Sequence, residues 1–384
     1  MKVVYTAPNR SHHYKYALIL HEAGILEKFV SGFSRFSPRS GLPEIGNKLV
    51  RADVMQNMYL ATLRLGFPKT IVDKFIFWAK VEQDRRSRMV LDNADIFMFY
   101  SGCGLDSCNF YKNEGIITVV EAVNSHVDYQ EELLKEECLS SGLSPQPFYK
   151  KDKERRMCEY EIADYILLPS NFVKNSFLKY GFPEEKLIKV PYGFNNLFEG
   201  SKLIVKEDTF TVLYVGSISI RKGLRYLIEA FSQWKYKNKK LVIVGPKAKI
   251  TGIEKVSIPE GVTFTGVLKG ELLEKAYKNA DVFCLPSIEE GLALVLGEAL
   301  SYGVPIIATE NSGASDIIED GREGFIIPIR DAKAIKERLE KLADDFCLYT
   351  EMKKNSVRKA RILNGWEQTG ELLVDSLAKL KKRR

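Results

Sequence analysis

Residues 281–309 read DVFCLPSIEEGLALVLGEALSYGVPIIAT. DVFCLP has the length and apolar character of a short buried strand, LALVLGEALSYG has the length and propensity of a helix, and VPIIAT reads as the strand that follows. Glu290 and Gly291 therefore fall on the turn between strand and helix. Glu298 lies inside the helix, with seven residues separating the two glutamates. A helix N-terminus presents unpaired N–H groups and a partial positive charge, which together make an anion site. Gly291 has no Cβ, so a ligand can come close to its backbone. Glutamates are also ordinary helix formers, and the pair by itself fits a structural role as well as a chemical one. The surrounding sequence has to decide between them.

Eight residues of helix span roughly 12 Å, so one carboxylate can sit near a reacting group while the other meets a distal part of the same ligand. A nucleoside diphosphate sugar is that long, with sugar at one end, diphosphate in the middle and ribose beyond. Outward from this stretch, strands alternate with helices almost throughout, which predicts parallel sheets covered by helices. The first half offers KVVYT, DIFMFY, IITVV, YILL and LIKV as strands. The second half offers FTVLYV, KLVIV, VTFT, DVFCLP, VPIIA and GFIIP. At 384 residues the chain exceeds what one hydrophobic core usually holds. Residues 191–208, which carry Pro, Gly and Asn between the two α/β series, are the expected linker. The expected division is 1–195 for a first Rossmann-like domain that binds the acceptor, 196–363 for a second that binds the donor, and 364–384 for a final helix and basic tail.

Composition excludes several classes. With 45% hydrophobic and 28% charged residues the chain is of globular type. No apolar run reaches the ~20 residues of a membrane span, and MKVVYTAPNRSHH lacks the apolar core of a signal peptide, so a cytoplasmic location is expected. The six cysteines show no paired spacing and no zinc pattern with the four histidines; reduced thiols and no structural metal are expected. Five positive charges crowd the last six residues, KLKKRR, and without them the net charge falls from +7 to +2. Residues 46–89 hold nine Lys and Arg against four Asp and Glu, with Val54, Met58, Ala61 and Leu65 at helical spacing. That region is either a basic amphipathic surface for an anionic membrane or the core face of helices with solvated basic sides. Nucleic acid binding has no recognition helix or RNA-binding aromatic motif to support it. After DIFMFYS, Gly102 and Gly104 begin a dinucleotide fingerprint, but Ser107 replaces its third glycine, and neither a P-loop nor a G-x-S-x-G elbow occurs.

Glu290-Gly291-Leu292, Glu298-Ala299-Leu300 and Gly303-Val304-Pro305-Ile306, in that order, resemble the retaining glycosyltransferases of family 4, which have the GT-B fold. The likeness extends to FTVLYVGSISIRKGLRYLIEAF, NAD before VFCLPS, SGASDIIEDGREGFIIP and, in the first half, VVEAVNSHVDYQEELLKEE. It is weakest over residues 41–88. The resemblance implies two Rossmann-like domains facing a cleft, with the C-terminal helix crossing back to the first. It implies transfer of a sugar, with retention and without a metal or other cofactor, from a UDP- or GDP-type donor to a glycan or lipid-linked acceptor. Lys222 would stabilise the departing diphosphate, Glu290 would hold the sugar hydroxyls and Glu298 the ribose. His126 would meet the sugar near its anomeric centre. Backbone amides of Gly291, Leu292, Ala293 and Leu294 would bind the phosphates, with Leu268 also lining the donor site.

Three departures from that family stand out. Ser217 occupies the place of a phosphate-binding arginine; Arg221 is a replacement only if it can point the same way as its neighbour Lys222, which adjacent helical residues do not. Ala293 stands where glycine is frequent. The first loop carries Arg10, His12 and His13 in place of a glycine pair, and these could hold an anionic acceptor. A nucleotide-sugar epimerase, a sugar phosphorylase or a non-catalytic partner subunit on the same scaffold are the alternatives.

Overall fold

The computed structural model describes residues 1–111, 114–195, 209–363 and 365–382. Most of the expected linker, residues 196–208, lies outside the described residues. Two parallel sheets organise the rest. The first contains β1 (Val3–Ala7), β2 (Leu26–Ser31), β3 (Leu49–Arg51), β4 (Ile96–Tyr100), β5 (Ile117–Glu121), β6 (Tyr165–Leu168) and β7 (Leu187–Lys189), in the spatial order β3-β2-β1-β4-β5-β6-β7. The second contains β8 (Phe210–Val215), β9 (Lys239–Val244), β10 (Val262–Gly266), β11 (Val282–Leu285), β12 (Ile306–Thr309) and β13 (Gly324–Ile327), in the order β10-β9-β8-β11-β12-β13.

Every strand expected from the sequence is present, and two were missed: β2 and β3. Central parallel strands are covered on both faces and read as continuous apolar runs, as in VVYTA of β1 and IIAT of β12, all buried. β2 interrupts its apolar run with Glu27 and Lys28, and β3 is a three-residue edge strand with no fully buried residue. Neither carries that signal.

Both strand orders reverse direction between the first and fourth strands of their series, at β1/β4 and at β8/β11. Loops leaving the C-terminal ends of strands diverge there and open a crevice. The loops at these two edges pack directly against each other. The carbonyl of Val123, just beyond β5, lies where a Cβ on Gly291 would be, and Ser170 donates to the Gly291 carbonyl at 2.5 Å.

The final helix, Gly365–Ala378, returns to the first domain as expected. Gly370 packs against Ile19, the Thr369 hydroxyl donates to the Pro191 carbonyl at 3.0 Å, and Leu373 and Leu377 are buried. Leu372 on the same helix faces solvent. Beyond the helix, Lys382 pairs with Asp164 at 2.8 Å and donates to the Ile116 carbonyl. Part of the basic tail is therefore tied to the first domain. All six cysteines are free thiols, four of them buried. Among the described residues no helix is long and apolar enough to cross a membrane.

Candidate functional site

The loops after β8 and β11 are joined side by side at the second switch point. Ile288 N–H donates to the Arg221 carbonyl at 2.9 Å. Gly223, in a left-handed conformation, is needed here: a Cβ would lie 2.1 Å from the Pro286 carbonyl oxygen. From below, the loop after β12 braces the same turn, with Glu290 N–H donating to the Asn311 carbonyl at 2.9 Å and the Asn311 amide donating to Ile288 at 3.0 Å. The turn that carries Glu290 is thus fixed by two segments distant in sequence, the loops after β8 and β12.

Lys222 and Arg221 converge on one carboxylate. Lys222 Nζ pairs with Glu290 Oε2, and Arg221 Nη1 lies 3.2 Å from the same oxygen. The expectation that adjacent residues diverge fails because residues 220–222 form a single 3-10 turn ended by Gly223, with the α-helix starting only at Leu224. Arg221 can therefore bring a guanidinium to the place where Ser217 supplies none. Ser217 contributes its carbonyl to the Tyr214 hydroxyl at 2.8 Å. Burial would push the Glu290 carboxyl up, but Arg221 and then Lys222 hold it below the usual carboxylate range. Burial lowers Lys222, and Glu290 opposes that shift.

Glu289 is the residue that the sequence reading passed over. It is fully buried and accepts from the Ser125 N–H at 3.0 Å, the Ser125 hydroxyl at 2.9 Å and the Gln130 amide at 2.8 Å, all in the first domain. Arg221 meets it at 3.3 Å from its own side. One carboxylate thus fastens the domains together and orients the cation beside Glu290. The only signal was the doublet Glu289-Glu290 itself.

Glu298 lies on the helix Leu294–Ser301 and accepts from the Tyr277 hydroxyl at 2.8 Å. Burial raises its pKa, opposed by that hydrogen bond. Ala293 precedes the helix without a side-chain cap, and its own N–H donates to the Ser312 carbonyl at 3.3 Å. The space beside Gly291 is filled in this structure by Val123 rather than left open to a ligand. Leu292 is buried and Leu294 half-buried. Leu268 is half-buried beyond β10, the outer strand of the sheet and two strands away from β8.

His126 sits in an aromatic enclosure of the first domain. Its ring stacks on Tyr180 at 4.2 Å and is enclosed by Tyr160, Phe177 and Phe182, while Nδ1 accepts from the Asp128 N–H at 3.4 Å and caps the helix Val127–Ser140. Burial pushes its pKa down to about 4. The neighbouring Ser125, not the imidazole, reaches the second domain.

The first-loop histidines are also engaged inside the protein. Glu121, the last residue of β5, accepts from His12 Nε2 at 2.6 Å and the Tyr5 hydroxyl at 2.8 Å, and lies 3.3 Å from His13 Nδ1. His12 stacks on Tyr192 at 4.0 Å. The anion these histidines hold is this internal carboxylate, and an anionic acceptor is not needed to explain them. Arg10 turns outward to the Arg39 carbonyl and the Tyr14 ring. His12, His13 and Glu121 are the one group among the described residues with the composition of a metal-ligand set. Their spacing is that of direct hydrogen bonds, which already satisfy the carboxylate.

Comparison with known proteins agrees with this architecture. The model of the family Glycosyl transferases group 1 matches residues 198–359. A putative colanic acid biosynthesis glycosyltransferase of Escherichia coli is 27% identical over 190 residues, covering 46% of this chain and 47% of that protein. The chain spans about half the length of the curated relatives it matches. Among solved structures, a sucrose-phosphate synthase from Thermosynechococcus elongatus superposes over 99% of both chains with a TM-score of 0.75 at 17% identity. The Anabaena protein HepE, solved in complex with UDP-glucose, covers 99% of this chain and 100% of its own with a TM-score of 0.65 at 14% identity. At those identities the likeness is one of fold. Over residues 198–359, the greater part of the second domain, the chain is similar to the group 1 glycosyltransferases, and its two parallel sheets have the arrangement of the GT-B fold.

Proposed function

We propose that the chain transfers a glycosyl unit from a nucleoside diphosphate sugar to a hydroxyl of a glycan or lipid-linked glycan, with retention of anomeric configuration. The observation that carries this reading is the convergence of Arg221 and Lys222 on Glu290 at a switch-point crevice, directly where the two domains meet. Two cations gathered on Glu290, with Glu289 holding Arg221 from the other side, form a site that a diphosphate can enter by exchange: the phosphates take the cations and Glu290 turns to the sugar hydroxyls. As the bond between the anomeric carbon and the phosphate oxygen breaks, negative charge grows on the diphosphate beside Lys222 and Arg221. That is where fixed positive charge lowers a barrier most. The acceptor oxygen bonds to the same carbon on the same face and its proton passes to the leaving phosphate, so no protein nucleophile is required. Positioning does the remainder. The reaction as proposed needs no metal, because the two side chains supply the charge.

Glu298, which accepts from the Tyr277 hydroxyl in this structure, would accept from the ribose hydroxyls of the donor. The uncapped start of its helix is an anion-binding end for the diphosphate. HepE supports the donor class, as a protein of this fold solved with UDP-glucose. Members of the family named for colanic acid synthesis support a polysaccharide or lipid-linked acceptor.

Thermal stabilisation by a panel of nucleotides and nucleotide sugars tests the reading. A ligand bound only to the folded state at about 100 times its dissociation constant adds about 2.7 kcal/mol. The expected result is stabilisation by one nucleoside diphosphate class, lost in both Glu298→Ala and Lys222→Ala, followed by sugar transfer in a radiolabel assay. Indifference to every nucleotide would favour a non-catalytic subunit that kept the fold.

A further inference from the structure

The first domain carries a helical hairpin with almost no core beneath it. Its arms are Val54–Arg64 and the start of Lys69–Arg88. Fifteen of the twenty-five residues from Val54 to Trp78 are apolar, yet the one buried residue among them is Thr62. An amphipathic helix in a globular domain normally turns its apolar stripe inward. Here Val54, Met58, Ala61 and Leu65, at the spacing of one helix face, all point to solvent, with Val54 51% and Leu65 74% exposed. On the second arm Trp78 is 48% exposed, one turn beyond the exposed Lys74. The sequence offered a core face as one reading of this stripe; the structure removes it.

We propose that this hairpin is a docking surface for an anionic phospholipid membrane. Charge complementarity selects that occupant. Arg64, Lys69 and Lys74 interleave with the apolar side chains, and Asp73, paired with Lys69 at 2.7 Å, is the one acidic residue of the hairpin. Apolar side chains enter the boundary of headgroups and acyl chains while the cations meet lipid phosphates, and each Lys or Arg near such a surface adds to binding. A second protein copy would gain from the apolar face but would bring the same positive charge against it.

Placement gives the surface a use. The first arm starts just after β3, at the C-terminal edge of the first sheet, the same edge from which the loops after β1 and β5 reach the cleft. A membrane held there brings lipid-borne acceptors to the first-domain side of the site. The docking argument rests on the surface itself and survives if the proposed transfer reaction is wrong.

Flotation with vesicles tests it, using the full chain and no nucleotide. Recovery with mixed phosphatidylglycerol and phosphatidylcholine vesicles is expected, with much less on phosphatidylcholine alone and a decline as salt rises. Trp78 fluorescence should shift to the blue on binding, and the shift should vanish in Trp78→Phe. Arg64→Gln with Lys74→Gln should lower the partition coefficient about 30-fold, roughly fivefold per basic residue. Leu65→Asp should abolish flotation without changing the melting temperature, because the side chain is exposed. The proposal is overturned if the chain ignores both vesicles, if these variants float as the parent does, or if light scattering shows a dimer that Leu65→Asp splits.

Discussion

Two carboxylates, half-buried Glu290 in the turn after β11 and buried Glu121 at the end of β5, differ in what surrounds them. Glu290 is met by permanent cations, Arg221 and Lys222, and its side chain keeps 16% of its exposure. Glu121 is met by the Tyr5 hydroxyl and two histidines, and only 1% of it is exposed. An anion held by lysine and arginine at an accessible crevice can trade its partners for a ligand's phosphates. An anion enclosed by phenol and imidazole donors has nothing to trade and no path for a ligand. The first arrangement suits exchange with a substrate, and the second fixes the first domain's loops against its sheet.

The comparison is tested most severely by Lys222→Ala. Loss of one fixed charge at a developing oxyanion should lower kcat by about 100- to 1000-fold while leaving the melting temperature within a few degrees. A variant that unfolds instead would show that the Lys222 pair is structural like the Glu121 cluster. Glu121→Ala should do the reverse, costing about 3 kcal/mol in urea unfolding, since the buried donors of Tyr5 and His12 are left without their acceptor. Wild-type-like stability there would mean that water or a bound ion replaces the carboxylate readily.

Titration offers a milder probe. Burial lowers His12 and His126 from 6.5 to about 4 in the folded chain. The unfolded chain therefore binds more protons between those values, so the stability contributed by the neutral rings is full above pH 6.5 and is lost as pH falls toward 4. A decline of up to about 3 kcal/mol for each ring across that window is expected in denaturant melts. A flat profile would mean that the rings are not enclosed as described.

His126→Asn should have the smallest effect. Asparagine is a good N-cap, so kcat should change by less than about twofold and stability by about 1 kcal/mol. A loss of kcat beyond about 100-fold with an unchanged KM would place the imidazole at the sugar during turnover and would revise the contrast between the domains.

Much of this site was legible from residue order. The turn at Glu290-Gly291, the helix bearing Glu298, the loop with Lys222 and the return of the last helix are local patterns, set by apolar periodicity, by turn residues and by helix propensity over a few neighbouring positions. Glu289 was not legible, because a glutamate beside a glutamate looks solvated until Ser125 and Gln130 of the other domain close on it. The orientation of Arg221 was not legible either. It depends on a 3-10 turn whose closing glycine is set against Pro286, 63 residues along the chain.

The sequence by itself determined the alternating strands and helices, the two parallel α/β series and the turn and helix that carry Glu290 and Glu298, because each of these is written in short-range patterns of polarity. Only the tertiary structure decided what each polar group faces. It turned His12 and His13 to an internal carboxylate, enclosed His126 among aromatic rings, and left the stripe from Val54 to Leu65 uncovered. Partners such as Glu121 and Glu289 come from distant strands and loops, and whether a side chain is paired, sealed or exposed follows from which of those surfaces folding brings together.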